Sequence, residues 1–177
     1  NLHGVLPYYF GARDPREDAV RTFLPPPGSS DAPVVMVRYD SELRMPNEDA
    51  HTRVLSDLRS RSQETQRVLL DVNVNSAWIA RAPAGPEQWV LVPVTPDVNA
   101  ILGTQAVERL FENATSSANG PMRPFYVLNQ FDPSLPLHLD VREVLQQFLG
   151  ERLLPMMLHR SPAVSEALAE GMTVIDY

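Results

Sequence analysis

The chain has 177 residues, 44% of them apolar and 21% charged, enough to bury one full core and too few to require two. A formal charge of -7 argues against a duplex nucleic-acid surface, so no nucleic-acid partner is expected. Cysteine is absent, which excludes disulfides, thiolate metal sites and a cysteine nucleophile together. All 15 basic residues are arginine, so no lysine chemistry is open to the chain.

In chain order, residues 1–33 carry Gly4, Gly11, Gly28 and the run Pro25-Pro26-Pro27, and little of this stretch suits a regular element. A short helix over Arg16 to Phe23 is the one element expected there. From Pro33 onward, short apolar runs alternate with longer amphipathic stretches, the signature of βα units. Val34 to Val37 reads as a strand, followed by a helix from about Asn47 to Arg61 with Ala50, Val54 and Leu58 on one face. Val68-Leu69-Leu70 reads as a second strand ending at Asp71, and Trp89 to Val92 as a third.

Thr95-Pro96-Asp97 then looks like a helix start, with Thr95 as cap and Pro96 in the first position, before a stripe of Val98, Ile101, Leu102, Ala106 and Leu110. A fourth strand, Phe125 to Leu128, ends at Asn129 and precedes a helix from about Leu139 to Leu149 that Gly150 stops. Leu153 to Leu158 is the fifth strand. Ser161-Pro162 opens a last helix carrying Val164, Ala167 and Leu168, closed by Gly171. Apolar strands of this kind, alternating with helices, predict an α/β fold, a doubly wound and mostly parallel sheet with helices on both faces. The chain begins at Asn1 without a methionine, so the expectation is a single α/β domain over 1–177 that is incomplete on its N-terminal side.

In such a sheet, ligands sit beyond the carboxyl ends of the strands, which directs attention to Asp71, Thr95 with Asp97, Asn129, and His159 with Arg160. Asp71 has the setting of an acid that holds Mg²⁺ through water beside a nucleotide phosphate, or else of a helix cap or solvated loop acid. The Asn129 carboxamide offers donor and acceptor groups suited to an adenine edge, or else serves a turn. His159 and Arg160 suit a nucleotide pocket or an acidic partner; the plainer reading of His159 is a structural or solvated residue. His3, His51, His138 and His159 show no paired-ligand spacing, and His138-x-Asp140 is too short a motif to count. No G-x-S-x-G elbow and no G-x-x-x-x-G-K-[ST] phosphate loop is present. Trp78 and Trp89 read as core packing rather than sugar-stacking residues.

The stretch from Arg152 through Leu153-Leu-Pro-Met-Met-Leu-His-Arg-Ser-Pro-Ala-Val-Ser-Glu-Ala-Leu to Tyr177 resembles the end of the BcsQ/YhjQ proteins of bacterial cellulose operons, within the ParA/MinD family of P-loop ATPases. Val127-Leu128-Asn129 is similar to the strand whose Asn contacts adenine there, Val92 to Asp97 to the strand and loop before it, and Val68 to Asp71 to the Walker B strand. The resemblance implies a P-loop NTPase-like, Rossmann-type three-layer sandwich, ATP and Mg²⁺ as cofactors, and a homodimer. Carried over residue by residue, it sets Asp71 at the Mg²⁺ and its water, with Asn129, His159 and Arg160 against the nucleotide. It further implies a regulator that localises or activates the cellulose synthase complex, with components of that complex as partners, and weak Mg²⁺-dependent ATPase activity. Two departures stand against a working ATPase: Asn73 where the family usually has proline, and a phosphate loop missing from residues 1–177, an objection that a loop on the N-terminal side would remove. The alternative is a nucleotide-independent scaffold of the same assembly; an unrelated α/β hydrolase or sugar-modifying enzyme is the third reading. No apolar run approaches the ~20 residues of a membrane-spanning helix and no signal-peptide pattern opens the chain. The expected location is therefore cytoplasmic, peripheral to the inner membrane at most.

Overall fold

The computed structural model describes residues 20–25, 27–28, 30, 32–37, 48–64, 67–71, 89–112, 123–170, 172, 174–175 and 177. The chain divides into two compact units, residues 1–76 with 163–177, and residues 77–162. The sequence readings that rest on Gly4, Gly11, Asn73, Trp78, Gly171 and the start of the Arg16 to Phe23 helix lie outside the described residues.

In the first unit, β1 (Val20–Phe23) and β2 (Val34–Val37) form a two-stranded antiparallel sheet, with Val20 opposite Val37 and Phe23 opposite Val34. This corrects two expectations. The end of the expected Arg16 to Phe23 helix is strand, and the Val34 run belongs to a hairpin, not to the parallel sheet. A turn around Gly28, whose φ of 88° is open to glycine without penalty, brings the two strands side by side. The helix α1 (Glu48–Glu64) follows, buries Val54 and carries an Asp57–Arg61 ion pair one turn apart. Val68-Leu69-Leu70 is not a strand: residues 67–71 are irregular, and Leu69 is 93% exposed. An apolar run of three is too short to specify a strand by itself; pairing decides it.

In the second unit, β3 (Leu91–Val94), α2 (Val98–Glu112), β4 (Phe125–Phe131), α3 (Pro136–Leu149) and β5 (Leu153–His159) build two successive βαβ crossovers. The three strands are parallel, in the order β3-β4-β5, the arrangement expected of an α/β P-loop-type chain. β3 lies two residues later than the apolar run Trp89 to Val92 suggested, although the Phe125 N–H already donates to the Val90 carbonyl at 2.8 Å. As the central strand β4 buries Tyr126, Val127 and Leu128 in succession, which requires cover on both faces. Tyr126, Leu128, Phe131, Val141, Leu145, Leu149 and Leu153 form the core, each burial contributing roughly 1.5–3 kcal/mol.

The helices are set by local rules. Pro136 opens α3 three residues earlier than expected, because its fixed φ suits the first turn and its missing N–H costs nothing there. Gly150 ends it at a φ of 60°, its N–H donating to the Gln146 carbonyl, and a 3-10 turn over Gly150–Arg152 leads into β5. In α2 the buried positions are Thr104 and Phe111, with Ile101 and Val107 packed against the core, while Val98, Leu102 and Ala106 of the expected stripe are exposed. Thr104 tolerates burial because its hydroxyl donates to the Ala100 carbonyl at 2.7 Å. Last, α4 (Pro162–Ala169) starts on Pro162 as expected and buries Ala167, leaving Val164 and Leu168 largely exposed.

Candidate functional site

Because β3, β4 and β5 run parallel, their carboxyl ends open on the same edge of the sheet. There Thr95, Pro96, Asp97, Gln130, His138 and Arg160 line an open cleft of about 200 Å³. That is smaller than the roughly 300–1,000 Å³ of a site enclosing a whole small molecule.

The β3 wall is rigid. The Thr95 hydroxyl donates to one Asp97 carboxylate oxygen at 2.6 Å, and the other oxygen accepts from the Ala100 N–H at 2.9 Å. Asp97 is therefore the N-cap of α2, in place of the expected Thr95, which braces it, and Pro96 is buried just before the helix. The Thr95 hydroxyl first and the Ala100 amide next hold the Asp97 carboxyl below its ordinary range.

The β4 wall is strained. Gln130 has a φ of 59°, the left-handed region that a non-glycine residue enters at a cost on the order of 1 kcal/mol. It sits in the register irregularity between Asn129 and Phe131, where one residue of β4 is left without a partner on β5. The strand is held beyond this point by the Arg160 N–H, which donates to the Phe131 carbonyl at 3.1 Å. The half-buried Asn129 and the exposed Gln130 thus place two carboxamides at one strand end, and neither has a side-chain hydrogen-bond partner among the described residues.

The α3 wall comes from a turn. The Asp132 carboxylate accepts from the Ser134 N–H at 2.9 Å and from its hydroxyl at 2.6 Å, and these bonds, hydroxyl first, hold it below the usual carboxylate range. The Asp132 N–H donates to His138 Nδ1 at 3.0 Å, so in the neutral imidazole the proton lies on Nε2. Phe131 contacts both histidines, at ring separations of 6.0 Å from His138 and 5.8 Å, edge to face, from His159.

The opposite region of β4 holds the other polar cluster. Arg152 pairs with Glu108 at 2.6 Å, and the hydroxyl of the fully buried Tyr126 donates to the same carboxylate at 2.5 Å. Burial pushes Glu108 up, but the hydrogen bonds from Arg152 and Tyr126 outweigh it and leave the carboxyl below its ordinary value. Burial, then the bond to Glu108, pushes the Tyr126 hydroxyl well above its ordinary value.

Of the residues singled out in the sequence, Thr95, Asp97 and Arg160 meet in the cleft, and Asn129 adjoins it through Gln130. His159 closes β5 against Phe131 without lining the cleft. Asp71 is exposed, off any strand, in the other unit. Gln130 and His138 line the cleft although the sequence assigns neither of them a role there. A strand continuing past Asn129 was the one signal that could have found Gln130, and nothing in the spacing marks His138. Among the described residues, no group of three His, Asp or Glu side chains is gathered to hold a metal ion, and no helix is long and apolar enough to cross a membrane.

Neither the curated proteins nor the solved structures compared with the chain gave a significant match. A family profile did, over residues 40–177, its description being cellulose biosynthesis protein BcsQ. With its parallel βαβαβ unit and the ParA/MinD-like last strand and helix, the chain belongs to the BcsQ family, named for its part in cellulose biosynthesis.

Proposed function

We propose that the chain is an ATP-binding regulator that localises or activates the bacterial cellulose synthase complex, acting as a homodimer whose state depends on the nucleotide. The observation that carries this reading is the cleft beyond the carboxyl ends of three parallel strands, the place where open α/β sheets take their ligands. The residues present fit the base end of a nucleotide. Asn129 and Gln130 offer carboxamide donors and acceptors without partners among the described residues, and a cleft of about 200 Å³ suits a ring system better than a triphosphate.

In this reading Asn129 binds the adenine edge and His159 and Arg160 flank the nucleotide; that Asp71 holds water around a cation is a separate proposal, carried by the resemblance alone. Mg²⁺, when bound, neutralises phosphate charge. The Asp97 cap and the Asp132 turn keep the cleft walls fixed, so less ordering is required when a ligand enters. Partners on this account are components of the synthase complex, met in the cytoplasm or at the inner membrane surface.

The test is calorimetric titration of ATP, with and without Mg²⁺, into protein expressed from its full reading frame. Binding that needs Mg²⁺ and weakens in Asp71→Ala is the expected result. No binding at millimolar ATP would leave the nucleotide-independent scaffold as the better account.

A further inference from the structure

The start of α3 has no side-chain cap: Leu135 stands at its N-cap position and Pro136 follows. The turn before it is closed from within, by the Ser134 bonds to the Asp132 carboxylate and by the Leu135 N–H, which donates to the Asp132 carbonyl at 3.2 Å. Among the described residues, one side-chain bond fastens this turn to the helix, the Asp132 N–H donating to His138 Nδ1 at 3.0 Å. His138 is half-buried, lines the cleft and lies against the Phe131 ring.

That bond exists only while the imidazole is neutral. An added proton goes to Nδ1, since Nε2 already carries one, and two donors then face each other at a distance that suits a donor and an acceptor. Imidazoles change charge between about pH 5 and pH 8, so ordinary acidity can break this bond. Charged groups reach His138 from each element around it. The Asp132 carboxylate lies in the turn and the Asp97 carboxylate at the start of α2; lowered first by Ser134 and by Thr95 respectively, both are lowered further by the His138 charge. Arg160, beyond β5, lines the same cleft, and His159 packs edge-on against Phe131. The two carboxylates draw an imidazolium toward themselves. Arg160 and the positive end of α3, in whose first turn His138 sits, disfavour it where it stands.

We propose that His138 is a proton-operated latch on the α3 wall of the cleft. Neutral, it clips the Asp132 turn to α3 and fixes that wall. Charged, it releases the Asp132 amide to water and swings to the Asp97 and Asp132 carboxylates. Because the proton and the bond exclude each other, the released form gains population as pH falls. The latch needs no bound ligand and stands apart from the nucleotide reading.

The experiment is a ¹⁵N NMR titration of the full chain from about pH 8 to about pH 5, read on the Asp132 amide, the His138 ring nitrogens and the scalar coupling across the N–H···N bond. At the upper end, coupling is expected between the Asp132 amide and His138 Nδ1, with the ring proton on Nε2. As Nδ1 takes up its proton the coupling should vanish, and the Asp132 and Ser134 amide signals should move with the same midpoint. His138→Gln, whose carboxamide accepts a hydrogen bond but does not titrate, should lose this step, and His159→Gln should keep it. Absence of the coupling at the upper end, amide signals that stay still while the imidazole charges, a step that survives in His138→Gln or one that disappears in His159→Gln would overturn the latch. The first two are read on the wild type and do not depend on a variant folding.

Discussion

The two ends of β4 handle polar groups in opposite ways. Near its start, Tyr126, Glu108 and Arg152 satisfy one another: one carboxylate takes the buried hydroxyl and the guanidinium, and the cluster ties β4 to α2 and to the turn that leads into β5. At its finish, Asn129 and Gln130 carry carboxamides without partners among the described residues, and Gln130 is strained. The same strand thus stores stability at one end and leaves capacity for a ligand at the other. On the proposed nucleotide reading, that division is the trade of rigid packing at one end for an open site at the other.

The comparison breaks most readily at the paired end. Glu108→Ala leaves the Tyr126 hydroxyl buried without its acceptor and Arg152 without its partner, and is expected to cost roughly 2–3 kcal/mol in urea unfolding. ATP affinity should hardly change, because Glu108 does not line the cleft. Tyr126→Phe, which keeps the Arg152 pair, should cost about 1 kcal/mol by the same measurement.

Both residues leave a signature in pH. The folded chain holds Glu108 below its ordinary value of 4.5, so it binds that proton less readily than the unfolded chain. The stabilisation is complete above 4.5 and is lost as pH falls through the lower folded value; Glu108→Gln should flatten the acid limb of the stability profile. Tyr126 runs the other way. Its hydroxyl is held above the ordinary 10.0, so above that pH the unfolded chain ionises while the folded chain does not. Stability should fall as pH rises past 10, and Tyr126→Phe should remove that share of the fall.

The open end gives the smallest changes in stability. Gln130→Gly relieves the left-handed strain but frees the unfolded chain, and its thermal midpoint should stay within about 2–4 °C of wild type. Gln130→Val, branched at Cβ, should lower it by more.

The architecture of the second unit was legible because Phe125 to Leu128 and Leu153 to Leu158 are apolar runs between helical stretches, although only the central β4 is buried on both faces and β5 leaves Met156 and Leu158 exposed. Val68 to Leu70 has the same character in miniature and forms no strand, because pairing is decided by neighbours that a local window does not contain. The α2 stripe misled for a related reason. Leu102 is apolar yet 64% exposed, while Thr104 is buried at 1%, its polarity hidden by the Ala100 carbonyl. In the site, Thr95, Asp97 and Arg160 were readable as polar residues just past strand ends. Gln130 was not, since its role depends on β4 continuing beyond Asn129 and slipping register there. His138 depends on a turn through Asp132 that folds the first turn of α3 back over the sheet edge.

The contact between Phe131 and His159 has a spectroscopic consequence. With the two rings 5.8 Å apart and nearly perpendicular, ring current from Phe131 displaces the imidazole carbon-bound proton signals of His159 from their random-coil positions. His159 ends β5 directly opposite Phe131, one residue past Gln130, and the chain has only four histidines to resolve. A single aromatic resonance can therefore report, without any label, whether the strand end beside the cleft shifts when a ligand enters.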